Sequence, residues 1–217
     1  MLKKLFANLR PGNDTSAEAL FGWHTIVDVT GGTGTPYMTR IWFGRLRLHI
    51  FHSPDPGRDP HDHPWGFWTF PLVPYVEEMW RPVRDTIVPG EPDPPLRFYK
   101  QLAVIHSWRW RRQEATHTHR VLGAWKGTWE YVSPYTGVHE VKHSPSFYTE
   151  CEPVIAKGRK VVTIVWRDAP QRKWGFLRRD ETGKFCWVPW RMYVYEGGNH
   201  APCSVIEQEK GRRHERT

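Results

Sequence analysis

Two short stretches constrain this chain more than any other part of it: His61-Asp62-His63-Pro64-Trp65 and, further along, His117-Thr118-His119. In each, two histidines stand two positions apart. On a β-strand the side chains alternate faces with period two. Both imidazoles of a pair then point the same way, with their Cα atoms about 6.5–7 Å apart. That spacing lets two neutral imidazoles converge on one metal ion at about 2.0–2.1 Å each. A fold that uses both pairs has to bring two distant strands face to face. A chain with 12 histidines also yields such pairs by chance, as solvated loop residues or as hydrogen-bonded residues of a core.

The surroundings of both pairs read as β-structure. Met38 to Phe43 and Leu46 to Phe51 are rich in strand formers and are joined by a Gly44-Arg45 turn. In the second of these, Leu46, Leu48 and Ile50 share one face, and Arg47, His49 and Phe51 share the other. Phe67 to Val73 is an apolar strand closed by Pro74, and Tyr75 to Trp80 opens the next. Ala115 to Leu122 carries the second histidine pair. Val161 to Trp166 reads as a core strand, and Trp174-Gly175-Phe176 with Phe185 to Trp190 completes the set. With 13 tryptophans and turns punctuated by Gly and Pro, the composition favours an all-β architecture.

Residues 53–60 and 82–95 are loops by their proline content. Leu2, Leu5, Phe6 and Leu9 fall at helical spacing, and Thr15 or Ser16 caps a second short helix through about Trp23. The expected organisation is therefore a helical lead-in over 1–34, a β-barrel over 35–193 with an insertion at about 123–160, and a tail over 194–217. From about Glu207 the tail is nearly all charged and is expected to be partly disordered.

The net charge of +8 invites a nucleic-acid or anionic-ligand reading. The basic residues are scattered, however, apart from Arg109 to Arg112, Arg178-Arg179 and Lys210 to Arg213, and such runs are usually solvated faces. The three cysteines, Cys151, Cys186 and Cys203, form no C-x-x-C pair. So sparse a set argues against a disulfide framework and for a reducing compartment. With neither a secretory leader nor an apolar run of about 18 residues, the expectation is a cytoplasmic protein without membrane association. Gly-x-Ser-x-Gly, Walker and dinucleotide motifs are absent from the sequence.

The motif set resembles the cupins, small jelly-roll β-barrels of the double-stranded β-helix type. It is similar in particular to an uncharacterised cupin-like family of bacteria and phages. The likeness rests on Thr35 to Arg40, Leu48-His49-Ile50-Phe51, His61-Asp62-His63-Pro64-Trp65, Tyr75-Val76-Glu77-Glu78, His119-Arg120, Trp174-Gly175-Phe176 and Trp187-Val188-Pro189-Trp190. It covers about residues 35–122 and 160–193. The resemblance implies a divalent metal ion (Fe(II), Mn, Ni or Zn) held by His61, His63 and His119. Two departures stand out: the glutamate that cupins usually place soon after His-x-His is absent from residues 66–70, and the glycine that ends that motif is replaced around Val73-Pro74. A three-histidine site remains chemically sound, since neutral ligands leave the ion's full charge in place, and thiol dioxygenases of the cupin class use one.

Other residues gather around this expectation. His117 is a fourth ligand, an acid/base beside the metal, or a satisfied interior histidine. Glu77 and Glu78 follow on the next strand. One of them faces the interior, where it serves as a general base, and the alternative is a rim salt bridge with Arg81 or Arg84. Glu78 and His117 are the candidate catalytic residues. Asp62 points away from the histidine face and reads as a structural acceptor. The functional expectation is a metal-dependent enzyme (an oxygenase, isomerase or hydrolase) acting on a small polar molecule, with a homodimer as the expected assembly. The alternative is a non-catalytic barrel that sequesters a small anionic ligand such as a nucleotide, as a phage protein acting on a host molecule would. Nucleic-acid binding through Arg109 to Arg112 and the basic tail is the third reading.

Overall fold

The computed structural model describes residues 20–28, 35–54, 59–83, 97–132, 139–144 and 151–214. Among them run the strands β1 (Phe21–Asp28), β2 (Thr35–Phe43), β3 (Leu46–Phe51), β4 (Phe67–Pro71), β5 (Tyr75–Pro82), β6 (Phe98–Ile105), β7 (Arg111–Gln113), β8 (Thr118–Val132), β9 (His139–Lys142), β10 (Cys151–Ile155), β11 (Val161–Arg167), β12 (Gly175–Arg179) and β13 (Phe185–Pro189). Two helices follow, α1 (Trp190–Tyr195) and α2 (Cys203–His214).

One sheet has the order β1-β2-β3-β11-β4-β7, a second has β10-β8-β5-β6, and β12-β13 form a separate hairpin. All pairings are antiparallel. The His61 segment is too short to be a strand. It joins the second sheet through a single antiparallel bridge to His119 at the start of β8. The chain therefore alternates between two four-membered layers, β3-β11-β4-β7 and His61-β8-β5-β6. This is the order of an eight-stranded jelly roll made of two Greek keys. The all-β jelly-roll expectation holds.

Several details differ from the sequence reading. Phe21 to Asp28 is a strand paired with β2, so the helix expected through Trp23 does not reach that far; the helix expected over residues 2–9 lies outside the described residues. The described residues of the insertion expected at about 123–160 extend the second sheet. The ladder that begins with His119 simply continues through β8 to Val132, and its distal half pairs with β9 and β10. The tail is ordered through His214 as α2. It is anchored by a Cys186–Cys203 disulfide, by the buried Ile206 and by a Lys184–Glu207 ion pair at 2.7 Å. Asp180 accepts the Cys203 N–H at 3.1 Å, which satisfies one of the orphan donors of a first helical turn. Charge composition alone hid this helix, because the bond that docks it is made 17 residues away in sequence. The same bond joins two of the three cysteines and removes the cysteine argument for a reducing compartment. No helix among the described residues is long and apolar enough to cross a membrane.

The interior between the sheets is built from Tyr75, Ile105, Val121, Ala124 and Val161. Each fully buried aliphatic side chain there contributes about 1.5–3 kcal/mol. In β11 the burial alternates along the strand, as a sheet with one inward face requires. In β3 the face that lines the cavity is the one carrying Arg47, His49 and Phe51. Leu46 is 38% exposed while Arg47 is 4% exposed, so the basic face, not the leucine face, points inward.

Candidate metal centre

The three histidines meet because backbone pairing forces them to. His61 and His119 exchange both main-chain hydrogen bonds at 2.9 Å, and His63 donates its N–H to the Ala115 carbonyl at 3.0 Å. The loop that carries them is held from behind by Asp62. Its carboxylate accepts the Gly175 N–H at 2.8 Å, Trp187 Nε1–H at 3.0 Å and the Arg172 guanidinium at 2.7 Å. Burial pushes the Asp62 carboxyl above its ordinary range, opposed by these donors. A side chain at position 175 would collide with the Val188 carbonyl and the Trp187 ring. Trp174 stacks on Trp190 with ring centres 5.7 Å apart, while Trp174 and Phe176 flank the His61 ring at 6.1 and 5.8 Å. The widely separated HDHPW, WGF and WVPW pieces are thus one physical unit, a clamp that fixes the first histidine pair.

The ring centres of His61, His63 and His119 lie 5.0–5.3 Å from one another. One ring nitrogen from each falls within 4.8 Å of the others, and His63 Nε2 and His119 Nε2 are 2.7 Å apart. Burial pushes the His63 imidazole well below its ordinary pKa, with His119 and His61 adding to the effect. Burial does the same to His119, helped by His61. These imidazoles are neutral, the form that binds metals.

Behind His119 sits Glu77, 1% exposed. Its Oε1 contacts His119 Nδ1 and lies 3.1 Å from His117 Nε2. A neutral His119 that donates Nδ1–H to this carboxylate presents a bare Nε2 lone pair toward His61 and His63. Carboxylates commonly orient metal-ligating histidines in this way. The donor set therefore fits a divalent ion: neutral imidazoles, one tautomer held by a carboxylate, and convergent nitrogens.

The structure does not bring Glu78 to this site, which corrects its assignment as a candidate base. By strand alternation it lies opposite Arg120 on the other face of β5. There it accepts from Arg120 at 2.9 Å and from Trp80 Nε1 at 2.7 Å. Glu77 is the inward carboxylate, and it takes no part in a rim salt bridge to Arg81. The Glu-Glu doublet made the choice a matter of register. Tyr75, two positions before Glu77 on β5, packs into the core, so alternation turns Glu77 inward with it. His117 precedes β8 and lies beside His119, the rings tilted with centres 4.6 Å apart. Its pKa is lowered to about 4 by burial, then by Arg81 and Arg111, so its contact with Glu77 is an N–H···carboxylate hydrogen bond.

The trio opens into a cavity of about 150 Å³ between the sheets. Its walls are mostly apolar, with Tyr37, Phe51, Trp65 and Phe176 among them, and they also include Arg40, Arg47 and His49. Sequence reasoning placed Arg47 and His49 on one face but gave them no role. The available signal was the alternation of β3, which sets a basic face against a leucine face without saying which is inside.

No protein-family model matches the chain, and no curated protein matches it. Among solved structures it is similar to FeII HppE (8% identity over 75% of this chain and 62% of that one, TM-score 0.36). It is also similar to the DMSP lyase DddQ from Ruegeria pomeroyi DSS-3 (12% identity, 79% and 57%, TM-score 0.29). A third likeness is to oxalate oxidase in complex with the substrate analogue glycolate (13% identity, 94% and 76%, TM-score 0.26). The chain spans 62% and 57% of the first two proteins. Overlap and identity at this level carry nothing of those proteins' chemistry to this chain.

Proposed function

We propose that this protein is a metal-dependent enzyme of the cupin kind acting on a small polar molecule, with a divalent ion held by His61, His63 and His119. The observation that carries the reading is the convergence of three imidazole nitrogens within 4.8 Å of one another on the wall of one cavity. A divalent ion there would supply Lewis acidity or activation of water or oxygen. Glu77 fixes the His119 tautomer, and His117 holds a proton on Nε2 against the same carboxylate. His61 is held between Trp174 and Phe176. The cavity volume supports a substrate well below nucleotide size, since drug-sized ligands need about 300 Å³ or more.

The nucleic-acid reading has less support. Arg112, in the basic run that suggested it, is paired with Asp168 at 2.6 Å and lies over the Trp68 ring.

The test is the double variant H61A/H63A, compared with wild type for metal content and far-UV circular dichroism. Loss of the metal with an unchanged β-spectrum is expected. Full metal occupancy in the folded double variant would sink the assignment.

A further inference from the structure

The outer face of the larger sheet is apolar almost from edge to edge. One row of cross-strand partners crosses all six strands: Phe21, Phe43, Leu46, Trp166, Trp68 and Arg112. Two positions along, and so on the same face, a second row holds Trp23, Ile41, Leu48, Ile164 and Phe70. The residues between the rows, Arg47 and Val165 among them, point to the cavity. Against Phe70 lie two more rings, Trp108 and Trp110, with centres 6.0 and 5.1 Å from its own. Trp108 has a left-handed backbone with φ 63°, and its N–H donates to the Pro71 carbonyl at 2.9 Å. A bulky residue in that region is strained, and this one presents its indole to solvent.

Apart from Phe70, the aromatic residues of this face are each 39–67% exposed. With about 150–250 Å² of surface per aromatic side chain, they present about 700 Å² together. The largest apolar patch on an ordinary monomer is about 300–600 Å². We propose that this face is the interface with a second copy of the chain, sheet packed on sheet about a two-fold axis. A two-fold axis sets the same patch against itself, and stacked sheets approach to about 10 Å. Two such patches bury about 1,400 Å² in all, within the range of about 1,200–2,000 Å² for stable interfaces.

Charge favours the same occupant. A chain of net charge +8 repels its own copy, so association is easiest where charge is absent or neutralised. The two rows hold a single charged residue, Arg112, and Asp168 pairs with it at 2.6 Å. Tryptophan and phenylalanine without Lys, Glu or Asp is also the composition of an interface core. The face lies on the side of the sheet away from the cavity, so the interface stands whether or not the metal reading does.

The experiment is sedimentation velocity of the full chain over a concentration series, with tryptophan emission followed in parallel. The expected result is a species of twice the 25.6 kDa chain mass that dissociates on dilution with a red shift of the emission. Because buried tryptophans dominate interface energies, W68E/W166E should raise the dimer Kd about thirtyfold or more with an unchanged far-UV spectrum. If that variant fails to fold, F43E carries the test from the other half of the row. Y195E, at an exposed position of α1 outside this face, should leave the Kd within twofold. A wild type that stays monomeric at every concentration overturns the proposal, as does a dimer untouched by W68E/W166E and F43E or equally weakened by Y195E. A monomer that instead floats with phosphatidylglycerol vesicles assigns the face to a lipid surface and overturns it too.

Discussion

Glu77→Gln probes the proposed centre through the carboxylate that stands behind His119. Glu77 Oε1 takes hydrogen bonds from His119 Nδ1 and His117 Nε2, and the side chain is 1% exposed. Glutamine keeps the shape and one acceptor oxygen but removes the charge. A hydrogen bond to a charged group contributes about 1.5–3 kcal/mol against about 0.5–1.5 for a neutral one. Two such bonds weaken by about 2 kcal/mol together, which is a loss of about thirtyfold in an equilibrium constant. That lies within the ten- to hundredfold expected when the partner of a ligating histidine is removed. Competition against a chromophoric chelator reads the metal affinity, and guanidinium unfolding reads stability. E78Q is the control, since Glu78 serves Arg120 and Trp80 on the opposite face. It should lower stability by about 1–2 kcal/mol and leave the metal affinity within twofold. An E77Q protein with wild-type affinity, or an E78Q protein equally impaired, would refute the orienting role.

Three further outcomes follow from the same geometry. Asp62→Ala removes the acceptor for Gly175, Trp187 and Arg172; a loss of about 3 kcal/mol in chemical denaturation, with weakened metal retention, is expected, and an unchanged midpoint would contradict the clamp. His49 is held far below its ordinary pKa of 6.5 by burial, then by Arg40 and Arg47, so below pH 6.5 the unfolded chain binds a proton that the folded one refuses. Each further pH unit then removes about 1.4 kcal/mol of stability, and H49Q should show a shallower decline than wild type from pH 6.5 to 5, whereas parallel curves would contradict it. Reducing Cys186–Cys203, which closes a span of 17 residues, should cost about 3 kcal/mol and raise amide exchange in α2, while undisturbed exchange there would show that Ile206 and Asp180 suffice.

Much of the fold was legible because strand signals are local. The runs around Leu46, Phe67, Tyr75 and Val161 each became strands, and the histidine pairs marked where two layers meet. What remained hidden depends on contacts distant in sequence. The His61 segment forms a bridge rather than a strand, so His61 and His63 converge through the Asp62 clamp and not through simple alternation. The inward choice between Glu77 and Glu78 turned on which face of β5 meets the other sheet, and Tyr75 marks that face only once the strand is placed. Helix α2 looked like a charged tail because its anchors, Cys186, Asp180 and Lys184, lie outside it. The inward face of β3 was visible as a pattern, but its polarity ran against the rule that leucines face the core, because Arg47 and His49 line a cavity rather than a packed interior.

The most direct test of the central claim is X-ray absorption spectroscopy of the wild-type protein after reconstitution with zinc or iron(II). The account predicts one ion per chain with three imidazole nitrogens at about 2.0–2.2 Å, falling to two in H119A. A metal with no imidazole scattering, or an H119A spectrum identical to that of wild type, would contradict it.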